Sequence, residues 1–98
     1  MDKIYFTLYL NPPRPNFMHD MTDAERAIMQ RHIAYWNEFL ERGIVLAFGP
    51  VLDPQGIHGL GIVEVENEQQ VKDMIANDPA NGLNKYEYYQ MKAVIPKK

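Results

Sequence analysis

The chain is predicted to fold as an α+β sandwich, one four-stranded sheet covered on one side by two helices in the order βαββαβ. Three observations predict it. Residues 3–10 alternate polar and apolar side chains, residues 22–42 carry a long capped helical pattern, and three later β-rich segments enclose a second, short helical pattern.

In the first strand Ile4, Phe6, Leu8 and Leu10 fall on one face and Tyr5, Thr7 and Tyr9 on the other. Residues 11–20 contain Pro12, Pro13 and Pro15 and are expected to form a stiff loop, because proline lacks an amide donor and restricts the residue before it. Thr22 and Glu25 make a capping box at the start of the long helix. Ile28, His32, Tyr35 and Phe39 form one apolar stripe of that helix, and Met29, Ile33, Trp36 and Leu40 the next. Gly43 suits the left-handed stop position.

Residues 44–48, an apolar run closed by Gly49-Pro50, and residues 60–66 read as the second and third strands. Asn67 and Gln70 open a short helix whose apolar side is Val71, Met74 and Ile75, ending near Asn77. Residues 86–95 alternate again and complete the sheet. With each helix linking two strands, the order is ferredoxin-like and both helices cover the same face. Tyr5, Tyr9, Tyr86 and Tyr88 are expected on the uncovered face, an aromatic patch suited to pairing with a second copy of the chain.

Composition narrows the function classes. The 98 residues, 46% hydrophobic, suit one compact domain spanning 1–98. A net charge of −3 without basic clusters disfavours nucleic acid and anionic membranes as partners. The absence of cysteine excludes disulfides, thiolate nucleophiles and sulfur-bound metals. No apolar segment has the length of a membrane span or a signal-peptide core, so a cytoplasmic protein is expected. The sequence carries no phosphate loop, dinucleotide fingerprint or nucleophile elbow, and His19, His32 and His58 lack metal-ligand spacing, so neither cofactor nor metal is expected.

The residue most suited to chemistry is His32. An imidazole among Ile28, Tyr35, Trp36 and Phe39 needs a polar partner, and Asp78, of Asp78-Pro79, is the candidate. A histidine oriented by a carboxylate can take and return protons near neutral pH. The bland alternatives are a histidine satisfied by a backbone carbonyl or a tyrosine hydroxyl, and an Asp-Pro turn whose carboxylate accepts neighbouring amides. Tyr35, Trp36 and Phe48 are candidates to line an apolar substrate pocket, core packing being the alternative. Arg14, between prolines, has the planar guanidinium that would hold a substrate carboxylate, or is simply solvated. His19-Asp20 reads as a surface polar pair, with a place on a lid as the alternative.

The residues Pro13-Arg14-Pro15, Asp20-Met21-Thr22, Met29, His32, Tyr35-Trp36, Gly43, Phe48-Gly49-Pro50-Val51, Asp53-Pro54, Gly56 and Asp78-Pro79 together resemble the YciI-like (YCII-related) proteins over nearly the whole chain. The resemblance implies a ferredoxin-like protomer that pairs into a dimeric α+β barrel, with a His–Asp active site falling on His32 and Asp78. Relatives include a dehydrochlorinase acting on a chlorinated hydroxymuconate-type acid, and muconolactone isomerases are structurally similar. The implied activity is therefore cofactor-independent acid/base chemistry, an elimination or isomerisation, on a small organic acid by a homodimer. A non-catalytic metabolite-binding or accessory module is the alternative reading, and a cofactor-free oxygenase a third.

Overall fold

The computed structural model describes residues 2–96. Its elements are β1 (Ile4–Asn11), α1 (Phe17–Asp20), α2 (Asp23–Glu41), β2 (Val45–Val51), β3 (His58–Val65), α3 (Glu68–Ala76) and β4 (Lys85–Met91). The strands form one antiparallel sheet in the order β2-β3-β1-β4, the ferredoxin-like arrangement. Among the described residues no helix is long and apolar enough to cross a membrane.

The alternation in β1 sets the layering. Phe6, Leu8 and Leu10 are buried, and Phe6 and Leu8 meet Val63, Val65, Trp36 of α2, and Val71 and Met74 of α3 in one core, so α2 and α3 lie on the same face of the sheet. Both helices start on side-chain caps. Thr22 and Glu25 make the reciprocal box, and Asn67 accepts from the Gln70 amide. Gly43, at φ 79°, takes the left-handed conformation that turns the chain from α2 into β2.

Several expectations are corrected. The segment 11–20 is not loop throughout: β1 continues to Asn11 and Phe17–Asp20 forms one helical turn, because the proline restriction ends at Pro15 and the Asn16 carbonyl is free to accept from the His19 and Asp20 amides. The second strand runs through Gly49-Pro50 to Val51, since β2 lies at the sheet edge, where a missing amide donor is tolerated. Its partner β3 begins at His58, two residues before the expected start. The last strand stops at Met91, because Met91 pairs with Tyr5 near the start of β1 and residues beyond it have no strand to pair with.

One further correction matters most for function. Tyr86 pairs with Leu10 and Tyr88 with Leu8, and directly paired residues share a face, so both tyrosines point under the helices. The open face carries Tyr5, Tyr9 and Tyr89 instead. Likewise α2 buries a narrower strip than its sequence suggests: His32 and Trp36 are buried, while Ile33 and Leu40 are exposed.

One close approach holds this layer together. A Cβ on Gly61, in the middle of β3, would lie 2.2 and 2.5 Å from carbons of the Trp36 ring, so the indole rests directly on the glycine backbone. Gly61→Ala is therefore expected to displace the indole and cost about 1–3 kcal/mol in denaturant unfolding, the range for overpacking a core. An unchanged unfolding midpoint would contradict this packing.

Candidate active site

The site forms where the middle of α2 faces the turn after α3. Residues 32 and 36 are one helical turn apart, so the imidazole and the indole project side by side, with ring centroids 5.9 Å apart. Opposite them α3 ends at Ala76 with Asn77 as its cap, and Pro79 prevents its continuation. The Asp78 carboxylate then folds back in an Asx turn, its Oδ1 accepting from the Ala80 amide at 2.8 Å.

The Asp78 side chain is wholly inaccessible and its hydrogen-bonding capacity is filled. His32 Nδ1 lies 3.0 Å from Oδ1 and 2.8 Å from Oδ2, Trp36 Nε1–H donates to Oδ2 at 3.0 Å, and the Tyr86 hydroxyl donates to the same oxygen. With the Ala80 amide, four donors surround a carboxylate that offers about four lone-pair sites. Burial pushes the Asp78 carboxyl up, but the hydrogen bonds from His32, Tyr86 and Ala80 outweigh it, so its pKa lies below the ordinary 3.8. Burial raises the Tyr86 hydroxyl, and its bond to Asp78 raises it further, so it stays a donor.

Because an ionised carboxylate only accepts, His32 Nδ1 carries the proton in the neutral ring. Nε2 is then the basic nitrogen, and among the described residues it has no hydrogen-bond partner. His32 borders a cavity of about 200 Å³ whose walls include Leu10, Phe17, Met29, Trp36, Phe48 and Asn84. The cavity is therefore a partly open apolar cleft with an oriented base in its wall. The arrangement can abstract a proton at Nε2, hold the resulting imidazolium against Asp78, and return the proton.

Trp36 and Phe48 stand at this cavity, but Tyr35 and Arg14 do not. The Tyr35 hydroxyl donates to the Met74 carbonyl at 2.8 Å and ties α2 to α3; burial, then the nearby Asp78 charge, raises its pKa to about 12. Arg14 binds Asp20 at 2.9 Å and Glu25 at 2.7 Å and lies over the Phe17 ring. Its hydrogen bond lowers the Glu25 carboxyl to about 2. Nearby acids thus take the guanidinium that the sequence offered to a substrate, and Arg14 instead clasps the proline segment and α1 to the start of α2. Pro12, Pro15 and Phe17 form the cavity wall held by that clasp. Asp20 belongs to the clasp and His19 is exposed.

Sequence reasoning missed Tyr86 and Asn84. The register that turns Tyr86 inward is fixed by pairing with β1, and nothing in the local pattern around Asn84 signals burial. Among the described residues no group of three or more His, Cys, Asp or Glu side chains is placed to hold a metal ion.

Asp78→Ala removes the acceptor of several buried donors and is expected to cost about 3–5 kcal/mol in denaturant unfolding. The depressed Asp78 pKa also fixes a pH dependence. Its contribution is fully present above the unfolded-state value of 3.8 and is lost as pH falls through the lower folded value. Stability should therefore drop below about pH 4, and Asp78→Asn should flatten that part of the curve. Equal acid sensitivity of the two proteins would contradict the buried ionised carboxylate.

Comparison with curated proteins gives no match. The sequence profile of the YCII-related domain matches residues 5–95, nearly the whole chain and all the elements of the site, so the protein belongs to the YCII-related domain family.

Proposed function

We propose that this protein is a small cytoplasmic enzyme that uses His32 as general acid and base in a cofactor-independent elimination or isomerisation of a small organic acid. The observation that carries the reading is the saturated Asp78 carboxylate, which presents its basic partner, His32 Nε2, to an apolar cavity. In that role Nε2 removes a proton from a substrate carbon. The proton is returned at another carbon in an isomerisation, or a leaving group departs with its electron pair in an elimination. Asp78 is a positioning residue that fixes the tautomer and stabilises the imidazolium as it forms.

The test uses 3-cyclohexenone, a single-ring carbon acid whose conversion to the conjugated enone is followed by ultraviolet absorbance. Isomerisation is expected with the wild-type protein and should fall by about 10²-fold or more in His32→Ala. Equal rates in the two proteins would overturn the reading. The second reading, a metabolite-binding module without turnover, draws support from the sparse polar lining of the cavity, and binding of the ketone without isomerisation would favour it.

We further propose that the functional unit is a homodimer paired through the open face of the sheet. Tyr89 is 57% and Met91 36% exposed there, beside Tyr9, Leu60 and Ile62. A domain of this size gains much by covering such a face. Sedimentation should give a dimer for the wild-type protein and a monomer for Ile62→Glu. A wild-type monomer at micromolar concentration would contradict the pairing.

A further inference from the structure

Resting on the assignment of His32 as the base, we infer that the site selects a ring-sized, predominantly apolar molecule with at most one charged group, and that Asn84 with His32 forms its single polar end. The volume sets the size. An apolar cavity of about 150 Å³ takes up benzene, so about 200 Å³ accommodates one ring and a small substituent.

The charge limit follows from the walls. No lysine or arginine is among the described residues lining the cavity, and Arg14, set between the wall residues Pro12 and Pro15, is held by Asp20 and Glu25. His58 borders the cavity, but its ring lies at the open face, tilted against the Tyr9 ring with centroids 6.1 Å apart, and the Tyr86 hydroxyl is engaged by Asp78 and Trp36. A single imidazolium can compensate one anionic group. A second carboxylate would lose its hydration among Leu, Phe, Pro and Met side chains with no cation in return, and the buried charge of Asp78 would repel it.

Asn84 supplies the remaining polar contact. It is only 5% exposed and lines the same cavity, and among the described residues its side-chain amide meets only the sulfur of Met29, at 3.2 Å. Sulfur is a weak acceptor, and the carboxamide oxygen accepts no hydrogen bond from any described residue. A buried carboxamide so poorly engaged is available to a ligand hydroxyl or carbonyl. This makes Asn84 a specificity-determining residue.

Calorimetry with phenol, toluene and terephthalate at neutral pH tests the inference. Phenol should bind the wild-type protein and terephthalate at least about tenfold more weakly. Terephthalate binding as tightly as phenol would overturn the charge limit. Asn84→Leu should weaken phenol by roughly threefold to tenfold and leave toluene unchanged, as loss of one hydrogen bond requires. No loss for phenol, or equal loss for both probes, would overturn the role of Asn84. If the variant does not fold, the side-chain amide signals of Asn84 in the wild-type protein decide instead: they should move with phenol and not with toluene, and unmoved signals at saturating phenol overturn the role. These binding results are independent of turnover. Failure of His32-dependent isomerisation with the phenol and terephthalate order intact would remove the catalytic reading and leave the selectivity standing.

Discussion

A carboxylate with no access to water is costly unless its lone pairs are filled, and in this protein that requirement organises several elements at once. Asp78 draws donors from α2, from β4 and from its own turn. Satisfying it fixes where α2 lies over the sheet, where the hydroxyl of the inward-facing Tyr86 is aimed, and how the chain leaves α3. The stabilising network and the candidate catalytic network are therefore the same atoms. A substitution at Asp78 disturbs both, whereas one at His32 removes the base and leaves Trp36, Tyr86 and the Ala80 amide still donating to the carboxylate.

The same economy appears around the cavity. The Trp36 ring forms part of its wall, donates to Asp78 and rests on Gly61, which alone permits so close an approach. The Arg14 clasp spends a cation on local acids and in doing so positions the proline segment as a wall. The cleft is left rich in apolar surface and poor in charge. In such surroundings a proton transferred to Nε2 is stabilised chiefly by Asp78 behind the ring, since little else in the walls can respond to it.

Much of this was legible in the sequence for identifiable reasons. A lone imidazole in an apolar helical stripe demands a partner, and an Asp-Pro pair at the end of a helix places a carboxylate beside the sheet, so His32 and Asp78 could be matched without coordinates. The Thr22–Glu25 capping box, the Asn67 cap, the Gly43 stop and the alternation of β1 are local signals and gave their elements correctly. What depended on partners was not legible. Alternation fixes which residues of β4 share a face but not which face, and pairing of Leu10 with Tyr86 decided it. Pro50 looked like a strand terminator until β2 proved to be an edge. Arg14 looked available because its acids, Asp20 and Glu25, come near it only when α1 forms a turn that the prolines concealed.

The central claim is that Asp78 holds the His32 ring with its proton on Nδ1, so that Nε2 is the nitrogen presented to the cavity. Nitrogen-15 NMR of the histidine rings at alkaline pH tests it most directly, because protonated and unprotonated ring nitrogens resonate far apart. The predicted spectrum has Nδ1 of His32 protonated and Nε2 unprotonated, with the preference lost in Asp78→Asn. A His32 ring protonated on Nε2 in the wild-type protein, or unaffected by that substitution, would contradict the account.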